Sequence, residues 1–308
     1  MNSPESLKLL FVINPKSGAK RNIDWQQIIS EYFRQLNHTI DFFQFSKNES
    51  NQLKKTIQKF GPDKVIAVGG DGTVTFVAEQ LLGSAIQMGI IPAGSANGMA
   101  KELEIPSEVN KALEIVLGGK IRHCDVILIN EKQISLHLSD IGMNAELINL
   151  FKARKLRGML GYASVAMKVL LRQQRMKVVI ETKGEEVLRS AVMVAFANAS
   201  KYGTGAIINP EGDLEDGLFE VVIVRKFSII EVLKMFLKLQ RFNPKKIEVL
   251  TARTATIETS RKMHFQIDGE YLGKVNSVKA RILPAQLNIL TPANNEETKN
   301  EVSKKDNQ

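Results

Sequence analysis

Three short segments of the chain combine glycines with hydroxyl side chains, the residue types that hold phosphate groups. They are NPKSG at 14–18, GGDGT at 69–73 and GSANG at 94–98. Glycine lets an anion approach backbone N–H groups closely, and hydroxyl side chains add further donors. Each segment follows a short apolar run, where a buried strand would end. If those strands are neighbours, the three turns predict a single phosphate site.

The middle segment lies within VIAVGGDGTVTFVAEQ at 65–80, which is compatible with two structures. An Asp-Gly pair between alternating apolar residues is typical of a β-hairpin, whereas a strand, a glycine-rich loop and a helix form a phosphate cradle. Beyond the loop, apolar residues recur at helical spacing at Val74, Val77, Ala78, Leu81 and Leu82. The sequence thus favours the cradle over the hairpin, with Thr73 as the helix N-cap and Gly83 after the helix end.

Strands and helices alternate in the first third of the chain. Apolar runs predict buried strands at 7–15, 38–46, 64–70 and 88–94, and helical periodicity predicts helices at 23–37 and 51–61. This order is typical of an open parallel α/β sheet, which binds ligands beyond the carboxyl ends of its strands. The three glycine-rich turns and the segment FSKNES all fall at that edge.

The sequence changes character near residue 125. Segments rich in β-branched residues, separated by turns, predict an antiparallel, sandwich-like, β-rich C-terminal domain. Helical stretches at 147–175 and 229–241 interrupt it, and the polar tail at 293–308 is predicted to be disordered. The expected domains are an α/β domain at 1–124, joined by residues 284–292, and a β-rich domain at 125–283.

Composition limits the possible functions. The 308 residues carry a net charge of +9, which indicates an anionic partner such as a nucleotide or an acidic membrane surface. Cys124 is the only cysteine and the four histidines lack metal-ligand spacing, so neither an intrachain disulfide nor a zinc site is expected. No signal peptide, membrane span or nucleic-acid-binding module is recognisable. These features predict a soluble, cytoplasmic protein that does not bind nucleic acid.

A basic segment at 151–177 contains eight lysines and arginines and no acidic residue. Its apolar residues recur at helical spacing, which is typical of an amphipathic helix that rests on an anionic lipid surface. A core helix with a solvated basic face explains the same pattern equally well. Both interpretations stay open.

Five motifs follow one another along the chain: VINPKSG, VGGDGTV, IPAGSANGMA, DLEDGLFEVVIV and QIDGE. In this order they resemble the diacylglycerol kinase and sphingosine kinase-like lipid kinases, closest to the soluble bacterial members, from about Lys8 to Leu290. The resemblance implies transfer of the ATP γ-phosphate to a lipid hydroxyl, in a cleft between an α/β domain of the NAD kinase and diacylglycerol kinase type and a β-rich domain that binds lipid and metal. It also implies a lipid presented in a membrane and transient, peripheral attachment.

Contacts with ATP are implied for residues at the edge of the α/β domain. They are Asn14, Pro15, Lys16, Ser17, Gly18, Ser46, Gly69, Gly70, Asp71, Gly72, Thr73 and Ser95. The catalytic base is assigned first to Glu270 and second to Asp268, both in the IDGE turn. Sphingosine kinase-like members place it instead at the position of Asp71, which is a base or an organiser of Mg²⁺.

The resemblance also implies a structural Mg²⁺ in GDLEDGLF, held by the Asp216 side chain with Asp213 and Leu218 carbonyls beside it. A second Mg²⁺ would bridge the phosphates. Glu146, in GMNAE, matches an acid that contacts the substrate head group. Taken alone, the DGE triplet favours a surface turn at a strand end. A β-turn with exposed acids is the alternative for GDLEDGLF.

The sequence departs from the diacylglycerol kinase pattern at Gly98, where an acid is usual, and at Thr75 and Phe76, where Asn-Glu is common. The substrate is therefore open between diacylglycerol, a sphingoid base and another lipid alcohol. Two other functions stay open: an NAD kinase-like enzyme with a soluble substrate, and a non-catalytic nucleotide- or lipid-binding protein. A homodimer is also open.

Overall fold

The structure is a computed structural model. It describes residues 6–17, 23–46, 49–153, 173–202, 206–207, 209, 212–227 and 242–293.

The N-terminal part contains a parallel sheet. Its strands are β1 (Lys8–Ile13), β2 (Thr39–Gln44), β3 (Lys64–Gly69) and β4 (Gln87–Pro92), in the order β2-β1-β3-β4. Every residue of β3 is buried, as expected for a continuous apolar run with helices on both faces. The predicted parallel α/β sheet is confirmed.

Helices alternate with these strands: α1 (Trp25–Phe33), α2 (Ser50–Phe60), α3 (Asp71–Leu81), α4 (Gly98–Glu102) and α5 (Val109–Gly118). The predicted helix after GGDG is confirmed, but Thr73 is not its N-cap. The helix begins at Asp71 with Gly70 as N-cap, because β3 runs to Gly69 and leaves a single connecting residue. Thr73 is buried within the first turn, with 1% of its surface exposed.

The C-terminal part is dominated by antiparallel strands, as predicted. Its elements are β5 (Lys120–Ile129), β6 (Gln133–Ser135), β7 (Leu138–Gly142), α6 (Met143–Ala153), β8 (Met176–Thr182), β9 (Glu185–Ala191), β10 (Met193–Ala197), β11 (Lys201–Tyr202), β12 (Ala206–Ile207), β13 (Phe219–Val224), β14 (Ile247–Ala252), β15 (Thr254–Ile267) and β16 (Glu270–Thr291). A hydrophobic core separate from that of the parallel sheet lies among these strands.

The predicted helices of this part have different outcomes. Helix α6 begins at Met143, four residues before the predicted start at 147, and residues 173–175 lie outside any helix. Residues 154–172, which include most of the basic segment, lie outside the described residues. The predicted helix at 229–241 and the tail from residue 294 lie outside them as well.

Strand β16 joins the two parts. Its first half pairs with β15 in an antiparallel hairpin, and near its end Asn288 and Ile289 lie beside β4 in parallel register. The same end pairs antiparallel with β5. One strand of 22 residues therefore fixes the position of the β15–β16 hairpin relative to the parallel sheet. None of the helices in the described ranges has the length and apolar character needed to cross a bilayer.

Candidate active site

The NPKSG turn is fixed to the start of α3 by Asn14. Its backbone N–H donates to the Val68 carbonyl of the neighbouring strand (3.0 Å), and its side-chain Nδ2 donates to Thr73 Oγ1 (3.1 Å). The side-chain oxygen accepts from the Lys16 N–H (3.0 Å). The end of β1 is thereby joined to β3 through the backbone and to α3 through the side chains of Asn14 and Thr73, both of which were predicted to contact the nucleotide.

The GGDGT and GSANG loops are in backbone contact. A Cβ atom added at Gly94 would lie 2.4 Å from the Gly70 Cα atom, so a larger residue at position 94 would separate the loops. Asn97, at a φ of 50°, closes the second loop: its Oδ1 accepts from the Gly94 N–H (2.8 Å) and its Nδ2 donates to the Gly94 carbonyl (3.0 Å). Glycine is required here for close approach.

Asp71, the first residue of α3, also connects these loops. Its Oδ1 accepts from the Met99 N–H (3.1 Å) in the first turn of α4. The NPKSG, GGDGT and GSANG turns thus meet at one edge of the sheet, as their positions predicted. This edge presents the N-terminus of α3, whose backbone dipole favours an anion.

The remaining predicted nucleotide residues lie around this edge. Ser46 follows β2 and its carbonyl accepts from the Glu49 N–H (3.0 Å). The neighbouring Phe45 packs edge-to-face on Phe76 of α3, with ring centroids 4.9 Å apart. Ser95 is exposed in the GSANG loop. Pro15 and Lys16 are exposed and Ser17 is half-buried, whereas Gly18 lies outside the described residues.

The IDGE motif is the turn of the β15–β16 hairpin. Ile267 pairs with Glu270, and the two residues between them, Asp268 and Gly269, have φ values of 45° and 82°. Positive φ at both central residues is the mark of a type I′ turn, for which Asp-Gly is a favoured pair. The Asp268–Gly269 pair therefore forms a hairpin turn, whereas the Asp71–Gly72 pair of GGDG does not.

Asp268 anchors the turn to the segment that connects β6 and β7. Its Oδ1 accepts from Ser135 Oγ (3.0 Å), the His137 N–H (3.1 Å) and the Leu138 N–H (2.9 Å), and its Oδ2 accepts from the Leu136 N–H (2.8 Å). Burial raises the pKa of Asp268, and the backbone donors and the nearby His137 oppose that rise. Both carboxylate oxygens are used in holding the turn.

Glu270 is exposed and directs its carboxylate toward the start of α3. A Cβ atom placed on Gly72 would lie 3.6 Å from Glu270 Oε1. The two residues line a solvent-open cleft of about 190 Å³ between α3 and the hairpin. Glu79 lines the same cleft, and its pKa is raised by desolvation and, secondarily, by the charge of Glu270. The structure thus brings the IDGE turn of the β-rich part against the GGDGT loop.

The acidic segment before β13 contains two local turns. Asp216 Oδ1 accepts from the Leu218 N–H (2.9 Å), and Asp213 Oδ1 accepts from the Glu215 N–H (3.1 Å) and lies 3.5 Å from Arg122 Nη2. Within the described ranges, no three acidic, histidine or cysteine side chains are grouped as metal ligands. A cation here would depend on one carboxylate and on main-chain oxygens, which suits Mg²⁺ with water ligands.

Asp125, which the sequence analysis missed, lies beside this segment. Its carboxylate accepts from the Gly217 N–H (2.6 Å) and the Ala285 N–H (2.8 Å), so it joins the acidic turn to β16. Burial is the main cause of its raised pKa, and the charges of Asp216 and Asp213 contribute to the same rise. The sequence did carry a signal for this residue: Asp125 begins the apolar run VILI, where it would be buried, and an acidic side chain is rarely buried without a partner.

Glu146 lies in the first turn of α6, beside the hairpin. Its negative charge raises the pKa of His264 on β15, although burial and Lys274 lower that pKa more strongly. His264 Nδ1 lies 2.9 Å from the Tyr271 hydroxyl, one residue beyond Glu270. The predicted substrate contact is therefore near the hairpin that carries the candidate base.

Two protein families match the chain, one for each part. The Diacylglycerol kinase catalytic domain matches residues 8–129, and the YegS C-terminal NAD kinase beta sandwich-like domain matches residues 139–291. The chain belongs to the diacylglycerol kinase and sphingosine kinase-like lipid kinases. It is an ATP-dependent lipid kinase.

Relatives agree with this family, and solved structures share the fold. Lipid kinase YegS of Escherichia coli K12 is 29% identical over 255 residues, which cover 80% of this chain and 84% of that protein. A protein of Synechocystis sp. PCC 6803 is 27% identical over 312 residues, covering 92% of this chain and 70% of that one. A diacylglycerol kinase from Bacillus anthracis has the same fold, with a TM-score of 0.71 at 20% identity and coverage of 92% and 97%. An NAD kinase from Archaeoglobus fulgidus has a TM-score of 0.51 at 13% identity, with coverage of 92% and 94%.

Proposed function

We propose that this kinase transfers the γ-phosphate of ATP to the hydroxyl of diacylglycerol, a sphingoid base or a related lipid alcohol at a membrane surface. The observation that carries the proposal is the position of Glu270 against Gly72, at the start of α3. A carboxylate of the β-rich part there faces the edge at which three phosphate-binding turns meet. A lipid hydroxyl that entered the cleft would lie between a proton acceptor and the terminal phosphate.

The residues have separate roles in this proposal. Backbone N–H groups of the GGDGT loop and the helix terminus bind the phosphates, and Asn14 and Thr73 keep the loops together. Glu270 accepts the hydroxyl proton as the oxygen attacks. Asp268 positions Glu270, since both of its oxygens already accept hydrogen bonds from the adjoining segment. Asp71 organises the phosphate side of the site through its contact with α4.

Magnesium has two proposed places. Asp216, with carbonyls of Asp213 and Leu218, would hold a structural ion beside Asp125, and Asp71 is the candidate to orient an ion on the phosphates. When bound to the phosphates, Mg²⁺ neutralises the charge that develops during transfer. The protein's own contribution is positioning, which is the larger part of catalysis in phosphoryl transfer.

The substrate reaches the site from a membrane. The cleft has apolar residues along its walls, including Phe45, Phe76, Ile134 and Leu272, which suit a lipid better than a sugar. Glu146 is the candidate contact for the polar head group. The net charge of +9 and the basic segment at 151–177 favour transient binding to anionic lipid.

The test is phosphate transfer from radiolabelled ATP with Mg²⁺ to mixed micelles of diacylglycerol, sphingosine, ceramide or monoacylglycerol, with NAD as a soluble acceptor in parallel. We expect one labelled lipid product. Glu270→Gln should lower kcat about a hundredfold or more while ATP still binds, because the proton acceptor is lost. Glu258→Gln, an exposed change on β15, is the control. Label in NADP alone, or full activity of both Glu270→Gln and Asp71→Asn, would contradict the proposal.

A further inference from the structure

A buried glutamine connects the IDGE turn to helix α6. Gln266 lies near the end of β15 with 1% of its surface exposed. Its Oε1 accepts from the Gly269 N–H (2.7 Å), and its Nε2 donates to Asp140 Oδ2 on the neighbouring strand β7 (2.5 Å). Gln266 and Asp140 are direct register partners, so the bridge is short and set by the sheet.

Asp140 also holds the start of α6. Its Oδ2 accepts from Asn144 Nδ2 (2.5 Å) and its Oδ1 from the Ala145 N–H (3.0 Å). Asp140 is 1% exposed, so its carboxylate is satisfied by these donors and by Gln266 within the protein. The helix that carries Glu146 and the turn that carries Glu270 are therefore joined through two side chains.

The polarity of this bridge is fixed. An ionised carboxylate only accepts hydrogen bonds, so the Gln266 amide must turn its NH₂ group toward Asp140. Its oxygen then faces the Gly269 N–H, the group immediately before Glu270. Rotating the amide by half a turn would place donor against donor at the Gly269 end.

We propose that Gln266 is a positioning residue for phosphoryl transfer, which acts through the Gly269 N–H to hold Glu270 over the start of α3 and is itself oriented by Asp140. This inference rests on the proposed function of Glu270. It differs from the role of Asp268, which ties the turn to residues 135–138. Gln266 ties the same turn to the helix at which the head group is proposed to bind.

Three variants test the bridge. Gln266→Met keeps the volume and removes both hydrogen bonds. In Asp140→Asn, three donors face a single acceptor oxygen. If the Gln266 amide turns so that its oxygen accepts from the new NH₂ group, that oxygen no longer accepts from the Gly269 N–H. The double variant Asp140→Asn with Gln266→Glu exchanges amide and carboxylate, which restores a donor–acceptor pair and the acceptor for Gly269. The Asn144 amide must then turn so that its oxygen accepts from the new NH₂ group.

In the lipid kinase assay, each single variant should lower kcat about tenfold to a hundredfold with little change in the KM for ATP, since a small misplacement of a reacting group has effects of this size. The double variant should recover most of that loss. Ser139→Ala is the control: it lies on β7 beside Asp140, is buried, and its hydroxyl has no hydrogen-bond partner among the described residues. It should retain wild-type kcat.

Hydrogen exchange of the Gly269 amide separates this inference from the proposed function. Both single variants should exchange faster at Gly269 than the wild type, and the double variant should regain protection, whether or not any lipid is phosphorylated. If the wild-type protein were inactive on every lipid but showed this exchange pattern, the proposed function would be refuted and the hydrogen-bonded bridge would still stand. Unchanged exchange, or unchanged kcat in folded single variants of an active enzyme, would overturn the inference. If the single variants do not fold, a double variant with wild-type melting temperature and more than a tenfold loss of kcat would also overturn it.

Discussion

Asn14 Nδ2 donates a hydrogen bond of 3.1 Å to Thr73 Oγ1, joining the turn after β1 to the first turn of α3. The two residues belong to separate motifs 59 positions apart. Thr73 is held inside the helix, where its hydroxyl lies against Gly69: a Cβ atom at Gly69 would be 2.3 Å from Thr73 Oγ1. The edge at which we propose that ATP binds is therefore ordered by protein contacts in the absence of ATP.

Removing this contact should weaken ATP binding. Asn14→Ala loses one side-chain hydrogen bond to Thr73 and one from the Lys16 N–H. These bonds, at about 0.5–1.5 kcal/mol each, hold the turn in one conformation. Without them ATP binding must itself order the turn, so we expect the Kd for ATP to rise about tenfold. Calorimetric titration with ATP and Mg²⁺ measures it. Asn37→Ala, at an exposed position after α1, should bind like the wild type; equal binding by both variants would refute the role of Asn14.

A methyl group at position 94 should disturb the site through backbone contact. In Gly94→Ala the new Cβ would lie 2.4 Å from Gly70 Cα, so the GGDGT and GSANG loops must separate. We expect ATP binding to fall below detection and the melting temperature to fall by several degrees, about what 1–3 kcal/mol of strain produces. Gly118→Ala is the matched control, because a Cβ atom there meets nothing within 4 Å. A Gly94→Ala protein that binds ATP normally would contradict the close approach.

Replacing Asp268 should lower the free energy of unfolding more than replacing Glu270 does. In Asp268→Asn the amide has one oxygen for four donors, and the Leu136 N–H or its neighbours lose an acceptor. The free energy of unfolding should fall by about 1–3 kcal/mol. Urea denaturation of Asp268→Asn, Glu270→Gln and the exposed control Asp41→Asn measures this. Equal stability of all three variants would show that Asp268 does not anchor the turn.

Acid should weaken the protein through Glu248. The Arg189 side chain, which hydrogen-bonds it, and then Arg225 lower the pKa of Glu248 to about 2. A carboxyl group with a lower pKa in the folded state stabilises the fold above its unfolded pKa and loses that effect as pH falls. Because the arginines are partly exposed, we expect about 1–2 kcal/mol at pH 7.

Glu248→Gln should therefore be less stable than the wild type at pH 7, and the difference should disappear between about pH 4.5 and pH 2. Urea denaturation at both ends of this window measures it. Glu185→Gln, at an exposed position on β9, serves as the control. A stability difference that persisted unchanged at pH 2 would rule out the ion pairs as its cause.

Local pattern was enough to predict the parallel strands and the helix after GGDG. The pattern after the Asp-Gly pair distinguishes GGDG from IDGE. Apolar residues spaced by three and four follow Asp71, whereas a strand follows Asp268. Periodicity did not predict Gly70 as the N-cap: a single residue connects the strand to the helix, which therefore begins before Thr73.

Long-range partners could not be predicted from spacing. Asp140 and Gln266 are 126 positions apart, and Asp125 and Ala285 are 160 apart. Asp125, Asp140 and Gln266 are polar residues within apolar strands, which marks a buried group that needs a partner but does not name that partner. Strand pairing supplies the partner, and the pairing depends on the whole topology.

The position of β16 at the end of the fold affects how the chain folds during synthesis. While the protein is being synthesised, β4 has no β16 beside it until residues 288 and 289 emerge from the ribosome, about two hundred residues after β4 itself. Until then the backbone groups along one edge of the nascent sheet are unpaired and can pair with strands of other chains. The parallel sheet and the part that carries the hairpin therefore gain their final strand pairing in the same late event. We expect a fragment that ends before β16 to be unstable and inactive.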